Sequence, residues 1–399
     1  MSVNEDAAGR GWPTRAWSRG ATPPAAQAHC VRLLISVCAF GIVVTTTLPA
    51  AGSEASQRPQ VEAATASISP YVPRFNRTKP IIAVVAENTF TELTDYVVPY
   101  GVLTESGVAQ VFALATKAGP VQMFPALRLQ PQATVAEFDA QFPGGADYVV
   151  VPAVHRTEDP ALIAWVTAQA KKGTTVVGIC DGVWVVANAG LLSGRKAVGH
   201  WYSFDDLQSK FKSTEFVRNT RYIADGPVIT TTGVTASIPV SIAIVEAIAG
   251  RDRAAAVAQT MGVKSWSPSH HSENFKLSTR HKFTAAANWI AFWSHEDIEL
   301  PIVQGVDEIA LALVADAYSR TYRSTVFSLS ATAAPISTRR GLVVYPDRIA
   351  GLKAADRTIS LPTNAPPVAA LDLALQSIER SYGAATASFV ALQIEYPRP

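Results

Sequence analysis

The residues of this sequence best suited to chemistry form one short run, Gly178-Ile179-Cys180-Asp181-Gly182. A cysteine thiolate is a strong nucleophile near neutral pH. Here the cysteine follows an apolar stretch, Thr174 to Ile179, and precedes Val183-Trp184-Val185-Val186-Ala187-Asn188-Ala189, which has helical character. Gly-x-Cys-x-Gly between a strand and a helix is a nucleophile elbow: small flanking residues permit a strained turn that lifts the central side chain above the sheet edge. The helix start would present its amides and positive dipole end to the sulfur, which predicts a lowered thiol pKa, and the Asp181 amide is placed to hold an oxyanion. The same five residues also fit a small buried cysteine at a tight turn.

The elements around this run must place it at a sheet edge. Ile81-Ile82-Ala83-Val84-Val85, Val111 to Leu114, Tyr148 to Val151 and Thr174 to Ile179 read as short buried strands. Pro99 to Ser106, Asp159 to Lys172, Ser237 to Ile248 and Ala254 to Met261 read as helices. Strands and helices alternating at these spacings predict βαβ units and an α/β parallel sheet covered on both faces. Tyr222 to Thr230, with Asp225-Gly226 at its centre, predicts a β-hairpin. Residues 263–284, with Trp266, Pro268, His270, His271 and His281, read as an irregular connection. Alternation then resumes as a second α/β region, 285–399. Within it Val326-Phe327-Ser328-Leu329 and Pro346 repeat Val111-Phe112-Ala113-Leu114 and Pro131 at a constant offset, which suggests a degenerate half-repeat. It has no cysteine, so no chemistry is expected there.

Charge and cysteine distribution narrow the function classes. The net charge of +2 is carried by the first 32 residues, where Arg10, Arg15, Arg19 and Arg32 stand against Glu5 and Asp6. The remainder is neutral and offers no electrostatic footprint for nucleic acid. Leu33 to Ser53 is uncharged and opens on a dense apolar run. Residues 1–55 therefore read as a signal peptide or membrane anchor, with export or anchoring as the expected localisation and membrane contact through this segment alone. Residues 56–79 read as a linker and 80–262 as the first folded domain. Of three cysteines, Cys30 and Cys38 lie in the leader, so Cys180 is the sole thiol of the body.

The elbow, followed by Ala189-Gly190-Leu191-Leu192-x-Gly194-Arg195-Lys196-Ala197, His200-Trp201, Asp225-Gly226 and Thr230-Thr231-Thr232-Gly233-Val234-Thr235-Ala236-Ser237, resembles the ThiJ/PfpI superfamily of class I glutamine amidotransferase-like domains. The isocyanide hydratase and amidase-like regulator branches are the most similar. The resemblance covers roughly residues 80 to 262. It implies a flavodoxin-like α/β sandwich with an elbow cysteine, a carboxylate after the first strand at Asp95, and a histidine near the elbow at His200. It further implies a pocket lined by Asp181, Ala153, Val154, Thr232 and Gly233, and frequent homodimers.

The sequence departs from that pattern in two places. Asp181 stands where protease-like members carry a histidine, and Ala153-Val154 replaces a Gly-Gly turn. An Asp before a helix also reads as an N-cap, and His-Trp at a strand start also reads as packing. His155 lies at the same rim, where a surface histidine is the plainer reading. The adjacent His270 and His271 with Glu273 and His281 match no metal-ligand spacing, and no Gly-rich phosphate loop is present, so no cofactor is expected. The resulting expectation is a hydrolase or hydratase acting on a small electrophile through Cys180, with Asp95 and His200 in support. Two alternatives remain: a ligand-sensing or scaffold protein, and an amidase-like transcription regulator lacking its DNA-binding domain.

Overall fold

The computed structural model of the protein describes residues 68–75 and 77–397. The expected leader lies outside these residues, as do Cys30, Cys38 and most of the expected linker. Among the described residues no helix is long and apolar enough to cross a membrane.

The chain opens β1 (Ile81–Ala86), β2 (Thr89–Glu92), α1 (Leu93–Ser106), β3 (Gln110–Ala115), β4 (Val121–Phe124), β5 (Arg128–Gln130), β6 (Ala133–Thr134) and α2 (Val135–Gln141). It continues β7 (Tyr148–Val151), α3 (Pro160–Lys171), β8 (Thr175–Gly178), α4 (Gly182–Asn188), β9 (Lys196–Ala197), α5 (Phe204–Lys210) and β10 (Glu215–Phe216). The hairpin β11 (Tyr222–Asp225) and β12 (Val228–Thr231) follows, then α6 (Ser237–Ala249) and α7 (Arg251–Met261). The main sheet runs β11-β12-β8-β7-β1-β3-β6, with all pairs parallel except the β11–β12 hairpin. Its central five strands thus have the flavodoxin-like order, confirming the expected fold class. Every residue of β1 and β7 is buried, as a parallel sheet covered on both faces requires. Strand order reverses between β1 and β7, and the carboxyl ends of strands at such a point open onto a crevice. Glu92, Ala153 and Cys180 follow β1, β7 and β8 into that region.

Helix α1 starts six residues before the expected Pro99. Its N-cap is Glu92, whose Oε2 accepts the Asp95 amide at 2.5 Å. Glutamate is outside the set of strongly preferred cap residues, so the start has no ordinary sequence signal. Gly107, at φ +66°, ends the helix as expected.

The second region contains α8 (Thr279–Ile290), β13 (Glu296–Pro301), α9 (Glu308–Ser319), β14 (Ser324–Ser330), β15 (Ile336–Ser337), β16 (Val343–Tyr345), β17 (Arg348–Ile349), β18 (Arg357–Thr358), α10 (Ala369–Tyr382) and α11 (Ala384–Gln393). Part of the expected irregular connection is helix: α8 begins at Thr279, capped by Ser278, with His281 as the reciprocal member of a capping box. The two regions share one core. Ile298, Ile309 and Leu313 lie in the same apolar cluster as Ile82, Val98 and Leu103, and β16 extends the sheet β15-β16-β5-β4-β2. Where α9 crosses α1, Gly101 leaves no room: a Cβ there would stand 2.7 Å from Ile309 Cγ1. Gly101→Val is therefore expected to lower stability by about 2 kcal/mol, the usual scale of overpacking, and Ile309→Ala in the same chain to recover part of the loss. Urea denaturation midpoints of the four chains of this cycle test it.

Candidate active site

Cys180 sits at the β8–α4 turn with φ +54°, a left-handed conformation that costs energy for any residue with a Cβ. The turn is held by Cys180 N–H donating to Thr231 Oγ1 at 3.1 Å and Gly182 N–H donating to the Ile179 carbonyl at 2.7 Å. The flanking glycines are required by close approach. A Cβ on Gly182 would lie 2.1 Å from the Val151 carbonyl oxygen, and one on Gly178 would lie 2.9 Å from Val186 Cγ2. The elbow is thus wedged against the end of β7, and the thiol is buried.

The third residue of α1, Asp95, is fully buried. Because Glu92 caps the helix, the Asp95 carboxyl is not spent as a cap. Its Oδ2 accepts the Ala153 amide at 3.1 Å, and its Oδ1 is buried with no hydrogen-bond partner. Glu92 also accepts from a cation of the second region: Arg320 Nη2 donates to Glu92 Oε1 at 2.9 Å and Arg320 Nε to Asp316 Oδ1 at 2.7 Å. All three residues are buried or nearly so, and the guanidinium lies over the Phe124 ring.

One guanidinium stands among three carboxyls and a thiol, and these acids cannot all ionise out of water. Burial pushes Asp95 up to about 7, against the lowering effects of the Ala153 amide and Arg320 and with the help of Asp316 and Asp181. Burial, then the charge of Asp95, raises Glu92 well above its ordinary value. The Cys180 thiol is pushed well up, first by burial and then by Asp95, Asp181 and Glu92. This corrects the expected lowering. The Asp181 amide does face the sulfur and favours the thiolate, but it is outweighed by desolvation and the surrounding acids.

Several expected pocket residues are engaged elsewhere. His200 Nδ1 accepts the Tyr202 amide at 3.3 Å, so Nε2 is the donor to the Gln393 carbonyl at 3.1 Å, and the expected Cys–His pair is not formed. The Ala153 amide is taken by Asp95 rather than awaiting an oxyanion. Val154 is buried and bridges to Thr91. Thr232 N–H donates to the Arg221 carbonyl at 2.9 Å, and Gly233 N–H to Glu395 Oε2 at 2.6 Å. His155 packs its ring against Phe90 and Phe124. His270 is buried, with Nε2 2.8 Å from Glu395 Oε1, whereas His271 is exposed. Sequence reasoning overlooked Glu92, Asp316 and Arg320. The last two lie in the region where no chemistry was expected, and the repeat was the one signal pointing to them.

Residues 81–247 match the DJ-1/PfpI family. Over 126 residues the chain is 32% identical to the HTH-type transcriptional regulator CdhR of Pseudomonas aeruginosa, a match covering 32% of this chain and 37% of the regulator. Over 160 residues it is 29% identical to an isonitrile hydratase of Pseudomonas putida, covering 39% of this chain and 67% of that protein. Among solved structures, Drosophila melanogaster DJ-1beta aligns with 47% of this chain and all of its own, at 19% identity and TM-score 0.42. A ThiJ/PfpI family protein from Pseudomonas syringae aligns with 55% of this chain and 93% of its own, at 21% identity and TM-score 0.44.

The raised Asp95 fixes a pH dependence of stability. In the fold this carboxyl holds its proton up to about pH 7, against an ordinary value of 3.8. Between these limits the unfolded chain is the less protonated state, so stability is fully present below 3.8 and is lost as pH rises through 7. Asp95→Asn cannot ionise and can still accept the Ala153 amide. Its urea midpoint is expected to exceed that of the natural chain at pH 8 and to lose this advantage at pH 4.

Proposed function

Residues 81–247 being a DJ-1/PfpI family domain, we propose that this protein hydrates or hydrolyses a compact electrophile of the isonitrile type, with Cys180 as nucleophile and Asp95 as its proton carrier. The observation that carries this reading is a fully buried carboxyl with one unpartnered oxygen, pushed up by burial to about 7, whose charge bears on a buried thiol. A general acid–base group works best when its pKa lies near the working pH, because it can then both take and return a proton. A thiol kept protonated at rest suits the reaction. With an isonitrile, R–N≡C, the sulfur bonds to the terminal carbon while the thiol proton passes through Asp95 to that same carbon, leaving a thioimidate. Water then adds at this carbon, the C–S bond breaks, Cys180 recovers a proton, and the N-substituted formamide leaves.

Catalysis of this kind needs the thiolate only in the presence of substrate. The free protein is therefore expected to react with iodoacetamide at pH 7.5 more slowly than its own unfolded chain. Asp95→Asn should label faster than the natural chain, because the negative charge next to the sulfur is gone, and yet lose turnover of an alkyl isonitrile by about a hundredfold or more, the usual contribution of a general acid–base group. Cys180→Ser should abolish turnover. Turnover near the natural rate in Asp95→Asn, or any turnover in Cys180→Ser, would refute the assignment.

A second reading, small-molecule sensing without turnover, is favoured by the engagement of His200 and of the Ala153 and Gly233 amides. It expects an isonitrile or a related small ligand to raise the melting temperature without being consumed.

A further inference from the structure

We infer that residues 296–349 are a second copy of residues 81–134, packed against the first across an internal two-fold axis, and that the copy completes the Cys180 site by supplying Arg320. The chain would thereby carry within itself the half of the site that a partner subunit would otherwise bring. The correspondence is a single offset of 215 residues, applied to element after element. Strand β1 maps onto β13, the first residue of α1 onto that of α9, β5 onto β16 and β6 onto β17. The N-cap acids Glu92 and Asp307 correspond, as do Pro120 and Pro335, and Leu127 and Leu342.

Pairing follows the same rule. The Leu114–Ala133 partnership of β3 and β6 recurs as Leu329–Arg348 in β14 and β17. The Val121–Leu129 partnership of β4 and β5 recurs as Ile336–Val344 in β15 and β16. The sheet order β7-β1-β3-β6 is matched by β18-β13-β14-β17. The copy ends there: after β17 the chain makes one short strand and two helices, with nothing in the place of β8, the elbow and α4.

The contacts between the copies are self-complementary, which is the mark of a two-fold interface. Strands β5 and β16 pair antiparallel about Leu129 and Val344, which are equivalent residues, with Arg128 opposite Tyr345 and Gln130 opposite Val343. Gly101 lies against Ile309 and Thr94 beside Asp316, and each of these pairs is the other with the copies exchanged. Departures from symmetry fall at the helix ends, where the chemistry differs. On one side Glu92 of α1 meets Arg320. On the other, Asp307 and Glu105 occupy the equivalent places, and Arg340 bridges them at 2.9 Å and 2.7 Å. The side with the cysteine therefore receives a cation directly from the opposite copy, and the side without one is closed by an ion cluster.

The Arg320 assignment rests on the acid–thiol reading of the site, whereas the stand-in for a subunit does not, so the two are tested separately. With the two-fold face filled by its own chain, the 399-residue chain is expected to sediment as a 42.5 kDa monomer at micromolar concentration; a dimer overturns the stand-in. Arg320 acts as a positioning residue, holding Glu92 and favouring negative charge at the sulfur. Arg320→Gln is expected to slow iodoacetamide labelling of Cys180 at pH 8.5 by about tenfold, the effect of withdrawing a nearby opposite charge worth about one pKa unit. Arg320→Lys keeps a cation without the fork and is expected to fall between, and it is the variant to measure where glutamine does not fold. Labelling at the natural rate in either variant, with native near-UV circular dichroism, overturns the role of Arg320. Neither measurement depends on isonitrile turnover.

Discussion

A buried guanidinium holds the site and the second region together. Arg320 leaves the end of α9 with little access to water and finds Asp316 on its own helix and Glu92 at the start of α1. Removing one partner from such a group is costly, because the remaining charges are left in a low-dielectric interior without compensation. The ion cluster therefore ties the N-terminus of α1 to the C-terminus of α9. By fixing Glu92 it also fixes the first turn of the helix that carries Asp95. The acid pushed upward by burial, the thiol pushed upward by burial and then by the surrounding acids, and the packing of the two regions are aspects of one arrangement.

Much of the fold was legible in the sequence because burial on both faces leaves continuous apolar runs. Strands β1, β7 and β8 and the elbow glycines are of this kind: Gly178 and Gly182 have no substitute where a Cβ would meet a neighbouring side chain or the backbone of β7. The start of α1 was not legible, because its cap is a glutamate and a proline lies within the helix. Asp95 was identified as a candidate, but its freedom from capping depends on Glu92 three residues earlier and could not be seen without coordinates. The engagement of His200 was not legible either. Its type suits a base, whereas Nδ1 accepts the Tyr202 amide and Nε2 reaches Gln393, nearly two hundred positions away, which no local pattern records.

Charge presents the same difficulty. A helix start after a cysteine argues for a lowered thiol pKa, and the Asp181 amide does act in that direction. The sum is decided first by the loss of water and then by Asp95, Asp181 and Glu92, and of these only Asp181 is written near Cys180. Local sequence thus predicts the geometry of an elbow better than its electrostatics.

The last described turn of the chain bears on how the protein is made. Glu395, at φ +55°, accepts the Gly233 amide with one carboxylate oxygen and meets His270 with the other, while its carbonyl accepts the Thr235 hydroxyl. The loop that carries Gly233 and Thr235 follows directly on Thr231, the last residue of β12, whose hydroxyl holds the Cys180 amide. During synthesis the elbow strand and this loop emerge long before residue 395 does. A nascent chain can form its parallel sheet early, but the loop beside the thiol acquires its final clasp only after Glu395 has emerged. Maturation of the site is therefore coupled to the arrival of a segment far downstream of the elbow.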